Sequence, residues 1–332
     1  MSPAGGALSE DDIIARYFAP LATAEGADGL RDDAASFAVG PGEEVVVTQD
    51  ALAAGVHFFA DDPPDAIAAK ALRVNLSDLV AKGAEPFGYL IALALEAGVT
   101  EDWIAGFSRG LAADQRTYGV SLLGGDTLKA AGGTTIAVTA FGRLPAGSIV
   151  RRSGARPGEV LVVTGPLGDA SLYLKTRADP AFAAAGLDDA MRAFLREAYL
   201  RPTPPVAAFA AVRRFASAAM DVSDGLLGDL RKLVRASRVG AIVDPAKIPL
   251  SAAGKAAVRA DPDALMHIMT GGDDYQILAS LPENAVAGYL DALAPICEAA
   301  VVGEVTADRA DVFLRQGDAL VPVAAAVSYQ HF

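Results

Sequence analysis

Cysteine occurs once in the chain, at Cys297, and histidine three times, at His57, His267 and His331. A single thiol excludes an internal disulfide and a cysteine zinc cluster, and so few imidazoles leave any metal site to oxygen donors. Cys297 sits in an apolar segment, where packing is its expected role. Positive charge is also scarce, with 28 Lys and Arg against 41 Asp and Glu and a formal net charge of -13. Nucleic acids and anionic membranes are bound through clustered Lys and Arg, so neither is an expected partner. No apolar run reaches the roughly 18 residues that a bilayer span needs, and Met1-Ser2-Pro3-Ala4 lacks the basic stretch of a secretory signal. The expected location is the cytoplasm. The familiar phosphate loops are missing too: there is no Gly-x-x-x-x-Gly-Lys-Ser/Thr, no Gly-x-Gly-x-x-Gly and no protein-kinase catalytic loop. Any nucleotide site is of another kind.

What is present is a 332-residue chain, 52% apolar and 21% charged, which suits two globular domains. The first half alternates strands and helices. A valine-rich strand is expected over 44–48, ending on Asp50, and a helix over 65–82, opened by Pro63-Pro64 and stopped by Gly83. An apolar run over 89–95, a helix between Thr100 and Gly119, a short strand to Leu123 and a strand over 134–141 follow. The basic, turn-rich segment Arg151-Arg152-Ser153-Gly154-Ala155-Arg156-Pro157-Gly158 interrupts this pattern and sets the expected domain limits at 1–150 and 151–332. Beyond it a strand over 160–164 and helices over 169–176 and 188–199 make the second half α/β as well. Ser77-Asp78 precedes Gly124-Gly125-Asp126 at nearly the spacing that separates Ser223-Asp224 from Gly271-Gly272-Asp273, an echo of duplication too short to carry weight.

Aspartates recur where strands are expected to end or helices to begin: Asp32-Asp33, Asp50, Asp78, Asp126, Asp221, Asp224 and Asp273-Asp274. Capping and turn formation account for any one of them. Asp78 is different, because it lies inside the expected helix, on the face of Asn75 and Ala71. Asp221-Val222-Ser223-Asp224-Gly225 ends an apolar run and starts a helix, where amides and a hydroxyl can meet an anion while carboxylates hold a cation. Carboxylates that converge at about 4 Å repel by roughly 4 kcal/mol per pair at an effective dielectric of 20, so such a cluster needs counter-charge. Hard oxygen donors favour Mg²⁺, and Mg²⁺ points to phosphate. Lys70, Arg73 and Arg152 are candidates to touch that phosphate directly.

Read in order, these segments resemble the thiamine-monophosphate kinases, of the superfamily that also holds aminoimidazole ribonucleotide synthetase and selenophosphate synthetase. The resemblance runs through Ile14-Ala15-Arg16-Tyr17-Phe18, Asp32-Asp33-Ala34, Ala54-Gly55-Val56-His57-Phe58 and Val74-Asn75-Leu76-Ser77-Asp78-Leu79. It continues through Gly124-Gly125-Asp126-Thr127, Arg152 to Gly158, Asp221-Val222-Ser223-Asp224-Gly225-Leu226, Gly271-Gly272-Asp273-Asp274-Tyr275 and Tyr329-Gln330-His331-Phe332. It implies a two-domain α/β (α+β) fold, a mixed-sheet N-terminal domain that dimerises and a C-terminal α/β domain. It also implies direct transfer of a phosphoryl group from ATP to thiamine monophosphate with several Mg²⁺ ions. Metal ligands would be Asp33, Thr48, Gln49, Asp50, Asp78, Asp126, Asp221 and Asp224. ATP would meet Gly125, Asp126, Arg152 and Ser223, and the thiamine moiety His57, Asp273 and Tyr329. No side chain would serve as an acid-base catalyst. Two positions depart from the family: Gln49 stands where threonine is common, and Asp273 where the pattern has glutamate. A related activity of the aminoimidazole ribonucleotide synthetase kind and a non-catalytic nucleotide or metal sensor are the alternatives.

Overall fold

The computed structural model describes residues 9–184, 186–307 and 311–324. The chain forms two compact units, one of residues 9–75 and 86–143, the other of 76–85 and the described residues from 144 onward. The expected α/β character is borne out in both, with one mixed sheet in each.

The first unit begins with the short helix α1 (Glu10–Ile13) and continues through β1 (Glu43–Ala53), α2 (Pro64–Ala81), β2 (Glu85–Leu95), α3 (Glu101–Tyr118), β3 (Ser121–Lys129) and β4 (Thr135–Pro145). The strands order as β1-β4-β2-β3, with β2 and β3 parallel. One sheet face carries the core through Leu52, Ile91, Leu93, Ile136, Val138 and Ala140, all buried. Helix α3 starts where Thr100 accepts the Trp103 amide at 3.2 Å and stops at Gly119, whose φ of 69° suits a residue without Cβ.

Two strands run further than their composition suggests. β1 continues past Asp50 to Ala53, and β3 continues through Gly124-Gly125-Asp126, a segment whose glycines read as a turn. Backbone proximity explains the second case. A Cβ on Gly125 would lie 2.0 Å from the Ile91 carbonyl oxygen, so glycine here lets β3 close onto β2. The pairing slips by one residue just before, between Tyr89 and Leu90, which leaves Leu123 without a cross-strand partner.

The second unit takes the end of α2 and adds β5 (Val160–Thr164), α4 (Asp169–Ala178), α5 (Pro180–Ala184), α6 (Asp189–Leu200), α7 (Phe209–Phe215) and β6 (Ala218–Val222). Then come α8 (Leu226–Ser237), β7 (Gly240–Val243), α9 (Ala252–Ala260), α10 (Ala264–Thr270), β8 (Gln276–Leu281), α11 (Val286–Leu293), β9 (Ala299–Thr306), β10 (Val312–Gln316) and β11 (Ala319–Pro322). The sheet order is β11-β10-β7-β9-β5-β8-β6, antiparallel at every junction except β10 with β7. Leu226, Leu227, Leu230, Leu233 and Val234 line the apolar stripe of α8 and pack with Met220, Val222 and Leu278 of the sheet. No helix among the described residues is long and apolar enough to cross a membrane.

Candidate functional site

In the second unit two loops meet backbone to backbone. The Asp273 amide donates to the Ser223 carbonyl and the Tyr275 amide to the Val222 carbonyl, both at 2.8 Å. The approach is close because Gly225 and Gly272 have no side chains: a Cβ on Gly272 would lie 2.3 Å from the Ser223 oxygen. Asp273 and Tyr275 both take positive φ, 73° and 52°. This bent segment brings Asp273 beside Ser223-Asp224, and the Tyr275 hydroxyl donates to Asp273 Oδ1 at 3.0 Å.

Asp221 lies at the end of β6, buried, and its Oδ2 accepts the Ser77 hydroxyl at 3.1 Å. Burial, then the charges of Asp78 and Asp229, push its carboxyl well above the usual range. Lys82, one turn beyond Asp78, donates to the Ala219 carbonyl at 2.7 Å. Its own pKa falls to about 8, through burial and the nearby Arg152 guanidinium. Arg152 is exposed, on the segment whose backbone runs against the start of β6, and its carbonyl accepts the Ser237 hydroxyl at 2.8 Å.

Ser223 and Asp224 are shaped by a residue that sequence reasoning passed over. Asp229, fully buried on α8, accepts the Ser223 and Asp224 amides on Oδ2 at 2.9 and 2.8 Å. Its Oδ1 accepts Lys232 Nζ at 2.7 Å, and the same ammonium bonds Asp224 Oδ2. The signal was available, since Asp229 falls among the leucines of the helix's apolar stripe, where a carboxylate must have partners.

In the first unit, Asp32, Asp33, Gln49, Gly125 and Asp126 line a hollow of about 750 Å³ together with apolar residues. Strand alternation divides the expected trio on β1. Gln49 shares the open face with Val47 and Ala51 and donates to the Thr139 hydroxyl at 3.0 Å, whereas Thr48 and Asp50 share the other face with Val46 and Leu52. The three side chains therefore cannot serve one cation together. The Asp50 amide donates to Asn75 Oδ1 at 2.9 Å, which explains the buried Asn75 on α2. His57 accepts the Ala53 amide on Nδ1 at 3.1 Å and so turns back on its own strand end.

Two of the three cations expected to meet phosphate are engaged elsewhere. Lys70 is buried and donates to the His57 carbonyl at 3.0 Å, and Arg73 forms a two-pronged pair with Asp114 at 2.7 and 2.8 Å. Tyr329 lies outside the described residues. Among the described residues no three His, Cys, Asp or Glu side chains gather closely enough to hold a metal ion alone. The donors are nonetheless all oxygen, and the repulsion felt by Asp221 is the condition that a hard cation relieves.

Comparison with known proteins assigns both halves of the chain to one family. The AIR synthase related protein N-terminal domain matches residues 31–144, and the corresponding C-terminal domain residues 156–315. The thiamine-monophosphate kinase of Caulobacter vibrioides is 39% identical over 308 residues, 91% of this chain and 86% of that protein. That of Escherichia coli K12 is 36% identical over 321 residues, 94% and 95% of the two chains. Among solved structures, the thiamine-monophosphate kinase of Stenotrophomonas maltophilia K279a superposes with a TM-score of 0.77 at 37% identity, over 86% of this chain and 89% of that one. The protein AaThiL, solved with AMPPCP and TMP, superposes with a TM-score of 0.76 at 27% identity, over 91% of each.

Proposed function

Because the chain belongs to the thiamine-monophosphate kinases of the AIR synthase related family, we propose that it transfers the γ-phosphoryl group of ATP directly to thiamine monophosphate with the help of Mg²⁺. The observation that carries the mechanism is the buried Asp221, raised in pKa by burial and by the charges of Asp78 and Asp229, at the end of the strand that leads into the Ser223-Asp224 loop, against which the segment bearing Asp273 folds. An all-oxygen acidic set without a cysteine or histidine cluster suits Mg²⁺ and phosphate oxygens together, since Mg²⁺ is commonly held by one or two carboxylates plus phosphate.

The second unit would offer Asp78, Asp221 and Asp224 to metal and Ser223 and Arg152 to the nucleotide. The first would offer Asp33, Thr48, Asp50 and Asp126 to metal, Gln49 through its carbonyl, and Gly125 with Asp126 to the nucleotide. His57 and Asp273 would face the thiamine moiety, with Tyr329 completing the set. Residues 1–150 would carry ATP and metal binding and the contact with a second copy, and 151–332 would complete the nucleotide and substrate site. When bound, Mg²⁺ neutralises charge on the phosphate oxygens. The protein's part is to hold the two substrates so that an oxygen of the thiamine phosphate lies in line with the γ-phosphorus. That oxygen forms the new P–O bond as the bond to the β-γ bridging oxygen breaks, and ADP leaves. The attacking phosphate is already ionised at neutral pH, so no general base is required. Cytoplasmic ATP makes the cytoplasm its proposed place of work.

The test is incubation with ATP, Mg²⁺ and thiamine monophosphate. Equal amounts of ADP and thiamine diphosphate are expected, with no product in EDTA. ADP without thiamine diphosphate, or ATP bound and unchanged, overturns the reading.

A further inference from the structure

The ammonium of Lys232 lies between two carboxylates, one of which, Asp224, is among the metal ligands proposed above. It bonds Asp229 Oδ1 at 2.7 Å and Asp224 Oδ2 on the other side. The two carboxylates differ in freedom. Asp229 is fully buried, and its second oxygen is committed to the Ser223 and Asp224 amides, so it cannot turn away. Asp224 sits on the loop, its side chain 34% exposed, and Lys232 is 39% exposed. The lysine is therefore fixed to α8 through Asp229, three residues before it on the same helix, and bonded by a flexible stem to Asp224.

We propose that Lys232 is a tethered cation that holds Asp224 in the metal-free enzyme and gives it up, staying on Asp229, when the divalent cation and nucleotide arrive. This rests on the reading of Asp224 as a metal ligand. A monovalent ammonium and a divalent ion on one carboxylate repel each other with twice the force of two single charges, so both cannot keep Asp224 Oδ2. Asp229 makes the exchange possible: its carboxylate remains to pair the lysine after Asp224 is lost, so no charge is left without a partner. In the metal-free chain the lysine spares the loop the repulsion between Asp224 and Asp229. Lys232 is thus a positioning residue that sets how much metal is needed.

Metal-free protein is titrated with Mn²⁺ alone, followed by loss of the free aqua-ion EPR signal, for wild type, Lys232→Gln, Lys232→Arg, Asp224→Asn and Asp224→Asn with Lys232→Gln. The glutamine amide can still donate to Asp229 but carries no charge, and binding should tighten about three- to tenfold, the range for a half-exposed charge pair. Arginine should restore the wild-type affinity. On the Asp224→Asn background the Lys232 change should have less than about a twofold effect. Unchanged or weaker Mn²⁺ binding in Lys232→Gln overturns the proposal and, where kinase turnover with thiamine monophosphate persists, leaves the functional reading standing. Absence of both turnover and Mn²⁺ binding in wild type overturns the functional reading as well. A second measurement needs no variant: the ¹⁵N signal of the Lys232 ammonium should shift on addition of Mg²⁺, and a lysine that only braces the helix would leave it unmoved.

Discussion

Asp169 and Asp126 are both acidic, yet their surroundings make opposite demands. Asp169 is buried at the start of α4, with Oδ1 accepting the Ser251 hydroxyl at 2.6 Å, and burial lifts its pKa from 3.8 to about 6. A carboxyl whose folded pKa lies above its unfolded value contributes stability at low pH and loses it as pH rises, here between about pH 4 and 6. Asp169→Asn keeps an acceptor for Ser251 and removes the titration. It should match wild type at pH 4 and exceed it by about 2 kcal/mol at pH 7, the N-terminal helix position tempering the full shift. Denaturant melts at the two pH values decide, and parallel curves for the two proteins sink the claim. Asp126 instead lines an open hollow with Asp32 and Asp33. Asp126→Asn should leave metal-free stability equal or higher, because like charge is removed, while kcat at saturating Mg²⁺ falls at least about a hundredfold. Near wild-type kcat would remove Asp126 from the metal site. At this scale Asp78 was legible, since a carboxylate inside a helix cannot be a cap. Asp229 was marked by its place among the leucines of α8, but its partners, and the role of Lys232, depend on a loop that folds back over the helix start.

Strand lengths show why elements were only partly legible. The Val160–Thr164 strand and the helix between Thr100 and Gly119 announce themselves through valine density and through caps. β3 hides, because Gly124-Gly125 has the composition of a turn, and only the neighbouring main chain reveals why glycine is needed. The two glycines are not equivalent. A methyl on Gly125 meets the Ile91 carbonyl oxygen, which cannot move without opening the β2/β3 pairing, whereas on Gly124 it meets the Leu90 side chain at 3.2 Å, which can rotate. Gly125→Ala should cost about 3 kcal/mol and lower Tm by roughly 6–12 °C, and Gly124→Ala should cost less than about 0.5 kcal/mol. Thermal melts of the two variants side by side make the comparison, and equal losses would show that β3 tolerates displacement. The same alternation that defines β1 separates Gln49 from Thr48 and Asp50, because the strand runs on unbroken to Ala53.

For the molecule as a whole, the two-domain α/β plan was legible through ordered motifs more than through periodicity, since alanine-rich helices such as α2 are buried nearly all round and show little amphipathic signal. What periodicity could not show is the second face of the first sheet. Val47 of β1, Leu90 of β2 and Leu128 of β3 are 55%, 36% and 49% exposed, with Phe37 and Val39 at 45% and 41%. Phe37 stands 5.1 Å from the Phe87 ring and 5.6 Å from Phe141, so its exposed edge continues an aromatic cluster on that side. An apolar face of this kind, spread over several strands of one sheet, is more than the scattered exposure of a monomer surface and suits a partner of the same character. The proposed occupant is a second copy of the chain, related by a twofold axis that sets the same strands against each other. A charge placed there would be buried twice per dimer, so Leu128→Asp should dissociate it while leaving the monomer's core intact. Sedimentation velocity should give a dimer for wild type and a monomer for the variant, with far-ultraviolet circular dichroism unchanged. A wild type that sediments as a monomer across the accessible concentration range would overturn the dimer and leave this face for another partner, and a Leu128→Asp variant that stays dimeric would move the interface elsewhere.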